Sequence, residues 1–215
     1  MDVLAFKPKE PSREELQREL AELKEANKLY LDHGYDREQA VKFLVDSAEP
    51  IEEPILDIGT GRGMVAVEIA RRGHSLTSID ISAEALQRAY IYARIEGVSE
   101  RIDFRLIDGA NLPFDDESFN LVTLVNVLHH LHSFESMIGE VSRVLVPGGR
   151  MLVADFTEEG LRIIEDVLTR RGLEHGAPVR YTLDDVAERM HKYGLQCVMR
   201  DIRFHEAVLL AQKAD

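Results

Sequence analysis

The sequence predicts an α/β protein built on a doubly wound, mostly parallel seven-stranded sheet that ends in an antiparallel hairpin. Three observations carry this. From Ile55 onward, short apolar runs alternate with segments of helical period, the pattern of βα units around a parallel sheet. The mostly apolar run Phe119–Val125 suits a central strand covered on both faces. At the other end, Leu195–Phe204 and Ala207–Gln212 read as strands separated only by His205 and Glu206. That gap is too short for a crossover, so the pair must be an antiparallel hairpin.

The elements follow in order. Pro8 and Pro11 mark a loose lead-in over residues 1–11. Ser12 and Glu15 make a capping box that opens a helix to about Asp32, with Leu16, Leu20, Leu23 and Ala26 on one stripe. Gly34 breaks it, and Asp36 caps a second helix carrying Ala40, Val41, Phe43, Leu44 and Val45. Residues 1–50 thus read as a helical extension, and 51–215 as the α/β domain. Within that domain the strands are Ile55–Ile58, His74–Asp80, Arg101–Ile107, Phe119–Val125 and Arg150–Asp155. Helices follow the glycines after Ile58, run from the Ser82 cap to about Gly97, and span about Ser133–Leu145 and Glu158–Arg171. A Gly-rich loop around Gly172–Gly176 precedes a last helix, capped at Thr182 and ending near Tyr193.

Composition narrows the partners. The 215 residues carry 26 Lys and Arg against 39 Asp and Glu, a net charge of −13. That balance repels phosphate backbones, so no nucleic-acid partner is expected. One cysteine, Cys197, excludes an internal disulfide and a multi-cysteine zinc site, and it reads as core on an apolar strand face. His129, His130, His132 and His205 match no metal-ligand spacing, so no metal is expected. The first residues lack the charged and apolar regions of a signal peptide, and no apolar run reaches spanning length. The expectation is a cytoplasmic protein that does not enter a membrane.

The richest segment is Asp57-Ile58-Gly59-Thr60-Gly61-Arg62-Gly63, a strand running into a glycine turn with a helix at once behind it. Such a turn holds a nucleotide-like ligand at the carboxyl end of a strand, where the helix dipole favours an anionic group. Gly61, Gly63 and Ala66 also satisfy a dinucleotide fingerprint. Three features argue against that ligand. Asp57 stands ahead of the glycines, where a carboxylate would repel a pyrophosphate but serve an amino group. Asp108, followed by Gly109, Ala110 and a Leu-Pro-Phe turn, suits an adenine edge. The Pro147-Gly148-Gly149 turn and terminal hairpin are foreign to an ordinary dinucleotide domain.

From about Ile51 to Gln212 the chain resembles the class I S-adenosylmethionine-dependent methyltransferases of the small UbiE-like type, whose fold is Rossmann-like. The resemblance implies a small-molecule methyltransferase with S-adenosyl-L-methionine as cofactor. Asp57, Gly59, Thr60 and Gly61 would lie under its methionine portion. Asp80 would bind both ribose hydroxyls, Ile81 would pack on the adenine, and Asp108, Gly109 and Ala110 would meet the adenine edge. Asn126 opens the stretch to Leu131 that would run beside the sulfonium and the acceptor. Val144–Arg150 matches the turn before the fifth strand of the family.

A sulfonium methyl is reactive, so the protein must mainly align a nucleophile and exclude water. A base is needed where the nucleophile must lose a proton, and His129 and His130 are the candidates. The N-terminal helices would fold over the site as a lid, bringing Tyr30, His33 and Tyr35 near the methyl group, or else cover the sheet or pair two subunits in a homodimer. A catalytically silent S-adenosylmethionine-binding or regulatory protein is the alternative function, with a nicotinamide-linked oxidoreductase a third.

Overall fold

The computed structural model describes residues 6–131, 134–173 and 181–214. Helix α1 spans Arg13–Asp32 and α2 spans Arg37–Asp46. The parallel core alternates β1 (Ile55–Ile58), α3 (Met64–Arg71), β2 (Leu76–Asp80), α4 (Ala83–Ile95), β3 (Ile102–Leu106) and β4 (Phe119–Val125). Helix α5 (Phe134–Val144), β5 (Leu145–Phe156), α6 (Glu158–Arg170), α7 (Leu183–Lys192), β6 (Leu195–Arg203) and β7 (Glu206–Lys213) complete the chain. The expected caps are in place: Ser12, Asp36, Ser82 and Thr182 each accept a backbone N–H three residues on. Ser133 and residues 174–176, where a helix start and part of a glycine loop were expected, lie outside the described residues, as does His132.

The sheet order is β3-β2-β1-β4-β5-β7-β6, with β7 antiparallel to both neighbours. Strand order reverses between β1 and β4, which opens a crevice beyond their carboxyl ends. Alternate residues feed two faces. Leu56, Ile58, Leu124 and Val153 pack with α5 and α7, while Ile55, Leu121, Leu152 and Ala154 pack with α2, α3 and α4. A third cluster joins Ala26, Tyr30, Tyr35 and Ala40 to Ile163, Ile164 and Val167 of α6. The stripe on α1 is therefore consumed inside the chain, against α4 and α6.

Three expectations change. The lead-in from Phe6 to Pro11 is tied down rather than loose: Lys9 exchanges two hydrogen bonds with Gln87, and Glu10 pairs with Arg94 and Tyr90. The hairpin turn is Phe204-His205, both at positive φ, so Glu206 belongs to β7, paired with Arg203. Two central residues with φ above zero give the turn whose twist matches its strands. Third, Cys197 is exposed, because β6 is the edge strand and buries almost none of its own residues. Arg200 Nε approaches its sulfur at 3.3 Å. A disulfide-exchange chromophore is expected to label this thiol in the native chain to full stoichiometry, with far-UV dichroism unchanged. Labelling that required denaturant would place the residue back in the core.

Among the described residues no helix is long and apolar enough to cross a membrane, and no His, Cys, Asp and Glu side chains cluster as a metal site.

Candidate active site

The site begins where β1 stops. Gly59 and Thr60 donate their N–H groups to the Ile79 carbonyl at 2.8 and 3.0 Å, locking the turn to β2. Gly59 stands at φ +79°, and a Cβ there would lie 2.3 Å from Val127 Cγ2. Gly63, at φ +78°, caps α3 with no side chain of its own and lies against Ala89. Both positions need glycine twice over, for the left-handed backbone and for the space. Helix α3 then aims its unpaired first-turn N–H groups at the turn.

The acids take distinct places. Asp57 is buried and accepts hydroxyl bonds of 2.7 Å from Ser78 and Thr123, on the strands at either side. Burial pushes its carboxyl above the usual range, and those hydroxyls partly restore it. Asp57 thus pins β1 between its neighbours, while it also lines the cavity described below. Asp80 accepts from Gly61 N–H and Ser82 N–H, both at 2.9 Å, which joins the turn to the head of α4. Ile81, beside it, is 74% exposed. Asp108 is exposed and accepts from Ala110 N–H, while Gly109 is buried against Ile58 and Met137.

A cavity of about 260 Å³ lies over the carboxyl ends of β1, β4 and β5, roofed by the N-terminal segment. Asp57, Gly59, Thr60, Gly61, Asn126, His129 and His130 all line it; Asp80, Ile81, Asp108, Gly109 and Ala110 lie outside, along the β2 and β3 ends. The sequence-predicted set thus divides into a cavity group and an edge group that meet at the glycine turn. Tyr30 and Tyr35 enter the cavity wall, whereas His33 turns away to Asp166 at 3.1 Å. Roof and turn are joined by ions: Arg62 of the turn meets Glu19 and Glu22 of α1, and so does Arg88 of α4.

His129 is buried, with Nδ1 2.7 Å from Asp155 Oδ1 and its backbone N–H on Oδ2. A carboxylate only accepts, so Nδ1 carries the hydrogen and Nε2 is the basic nitrogen of the neutral ring. The His130 ring lies beside it, tilted by 51° with centroids 4.0 Å apart.

The residue that sequence reasoning missed is Glu206. It is 0% exposed, lines the cavity, and accepts from Tyr35 Oη at 2.6 Å and Asn126 Nδ2 at 3.1 Å through one oxygen, Oε1. Burial above all pushes its carboxyl up to about 8, against the lowering effect of those two bonds. Its signal was a lone acid heading the apolar run Ala207–Ala211, obscured by placing Glu206 in the turn. Asp155 was missed likewise, read as a strand end only.

A family model described as a methyltransferase domain matches residues 56–153. The chain is 34% identical over 116 residues to methyltransferase GfsG of Streptomyces halstedii, covering 54% of this chain and 41% of that protein. It is 34% identical over 128 residues to the demethylmenaquinone methyltransferase of Tropheryma whipplei, covering 60% and 51%. It therefore spans about half the length of these curated relatives. Among solved structures, the PH0226 protein of Pyrococcus horikoshii aligns with a TM-score of 0.70 at 16% identity, over 82% of this chain and 90% of that one. The [4+2]-cyclase SpnF aligns at 0.68 and 18%, over 83% and 81%. Those structural likenesses establish the mostly parallel, Rossmann-like fold. Residues 56–153 are thus similar to a methyltransferase domain, carried on that Rossmann-like fold.

Proposed function

We propose that the chain transfers the methyl group of S-adenosylmethionine to a small-molecule acceptor held in the roofed cavity. The observation that carries this reading is the cavity itself, which joins the glycine turn to aromatic and ionisable side chains that a donor alone does not require. S-adenosylmethionine supplies an electrophilic methyl on a sulfonium. The protein's part is to position and to exclude water.

The edge group suits the nucleoside half of the cofactor. A carboxylate at Asp80 answers vicinal hydroxyls, and an exposed apolar Ile81 at the head of α4 offers a face for a purine. Asp108 and the Ala110 backbone stand at the next strand end. The cavity group suits the methionine half and the acceptor, with Asn126 between them and His129, oriented by Asp155, as a proton acceptor beside His130. Helices α1 and α2 act as a lid held by Arg62, Arg88, Glu19 and Glu22. The small cavity and the net charge of −13 both favour a small neutral or cationic acceptor.

Replacing Asp80 with alanine is expected to weaken S-adenosylhomocysteine binding by roughly 10- to 100-fold, since hydrogen bonds to a charged group contribute about 1.5–3 kcal/mol. Calorimetry measures it; an affinity unchanged by the substitution would remove Asp80 from the site. For the function as a whole, the wild-type chain with labelled S-adenosylmethionine and a cell metabolite pool, resolved by mass, tests transfer. Binding without any labelled product would make this a binding protein, and no binding of either cofactor form would end the reading.

A further inference from the structure

Two buried oxygens, on residues that line the cavity, have no hydrogen-bond partner among the described residues: Asn126 Oδ1 and Glu206 Oε2. Both are fully buried, and both belong to residues already bonded to each other through Asn126 Nδ2 and Glu206 Oε1. A buried acceptor left unpaired costs about 1–3 kcal/mol, so two of them, on bonded residues that line the cavity, call for a ligand. With Glu206 ionised both are acceptors, and they are two. A hydroxyl brings one hydrogen and can answer one of them; a primary amine or ammonium brings enough to answer both.

Place in the sheet says which ligand this is. Glu206 heads β7, three strands from the β1 glycine turn through β4 and β5. At about 4.8 Å per strand that is roughly 14 Å across the sheet, on the far side of Asn126 from the turn. Tyr35, bonded to Glu206, and Phe156, beside it on β5, add aromatic surface at this end.

We propose that Glu206 and Asn126 hold the nucleophilic nitrogen of the methyl acceptor, and that the acceptor is a primary amine or its ammonium ion carried on an apolar or aromatic body. This inference rests on the methyltransferase reading above and names the acceptor's chemistry within it. The ammonium docks against the ionised Glu206 and passes one proton to Oε2, leaving a neutral amine and a neutral carboxylic acid. The nitrogen lone pair then forms the new N–C bond to the methyl carbon as the S–C bond breaks toward sulfur. The products are a methylated ammonium, S-adenosylhomocysteine and protonated Glu206, and total charge is conserved. The raised carboxyl, at about 8, brings Glu206 close to the basicity of an amine, so the proton passes with little penalty.

The test uses the whole chain saturated with S-adenosylhomocysteine, so that nothing turns over. Calorimetry measures a panel of primary amines, from methylamine to phenethylamine, each beside its matched alcohol. At least one amine is expected to bind about tenfold or more tighter than its alcohol, as a charged hydrogen-bonded pair should. Glu206→Gln is expected to abolish that preference and leave S-adenosylhomocysteine affinity within about threefold. The wild-type comparison needs no variant, so a misfolded Glu206→Gln would not shield the proposal. Amines and alcohols binding alike, or no amine binding at all, overturns it. So does a preference that survives Glu206→Gln. A variant that loses S-adenosylhomocysteine instead would assign Glu206 to the donor and equally overturn it. Failure of the wild-type chain to bind S-adenosylhomocysteine would strike the methyltransferase reading itself, a separate and recognisable outcome.

Discussion

Replacing Gly59 with alanine is expected to lower stability by roughly 2–5 kcal/mol and to reduce S-adenosylhomocysteine affinity at least about tenfold. Two costs add. An L-residue in the left-handed region pays about 1–2 kcal/mol, and Gly59 sits at φ +79°. The new methyl would also meet Val127 Cγ2 at 2.3 Å, an overpacking whose usual cost is about 1–3 kcal/mol. For a chain of this length the sum corresponds to a fall in Tm of roughly 4–20 °C. The turn can relieve the clash only by shifting into the cavity it lines, which is why binding suffers along with stability. Adding Val127→Ala removes the steric part and leaves the backbone part. The double variant should therefore regain roughly half of the lost stability, a coupling that a double-mutant cycle reads directly. A Gly59→Ala chain with unchanged Tm and affinity would contradict both terms.

The second large effect concerns pH. Glu206 titrates near 8 in the folded chain against 4.5 for an ordinary glutamate. The native state therefore holds its proton where the unfolded chain has lost it. The associated stability is complete below about pH 4.5, declines as pH rises, and is gone above about 8. At about 1.4 kcal/mol per pH unit the loss approaches roughly 3–5 kcal/mol. The groups that face Glu206 are Tyr35 and Arg37 from the N-terminal segment, Asn126 after β4 and Asp155 on β5. Of these, Asp155 opposes its charge and Arg37 favours it, and desolvation outweighs both. Glu206→Gln removes the titration and nearly preserves the shape. It should match the wild type at pH 5 and exceed it by roughly 2–4 kcal/mol at pH 8.5. Asp57 is also raised, but it is present in both chains and cancels. Urea unfolding at pH 5, 7 and 8.5 decides the matter, and parallel pH profiles would show that Glu206 is not the group responsible. A buried acid that weakens the fold near neutrality is what a site waiting for a cation would contain, so this measurement and the amine titration bear on the same residue independently.

Local chemistry wrote much of this molecule legibly. Alternating periods gave the βα order, and capping residues at Ser12, Asp36, Ser82 and Thr182 fixed helix starts, because those signals lie within a few residues of one another. The glycine turn and the strand-end acids Asp80 and Asp108 were likewise visible, each a short motif whose meaning depends on its neighbours in sequence. Errors arose where meaning depended on something distant. Cys197 looked like core because its strand is apolar enough, yet edge position is a property of sheet order. The hairpin slipped by one residue because Phe204 and His205 adopt positive φ without glycine, and with a period of two that slip changes which residues face the site.

By itself, then, the sequence determined the fold class and pointed to the donor and to the turn proposed to hold it, since these are encoded by contiguous residues. Tertiary structure alone decided the surroundings we propose for the acceptor. Tyr35 and Glu206 meet across 171 positions of sequence, and Asn126 and Glu206 across 80. His129 finds Asp155 one strand over. No local pattern can announce such pairs, because their energy comes from shared burial that exists only once the strands are ordered. The site proposed for the acceptor is built from these pairs.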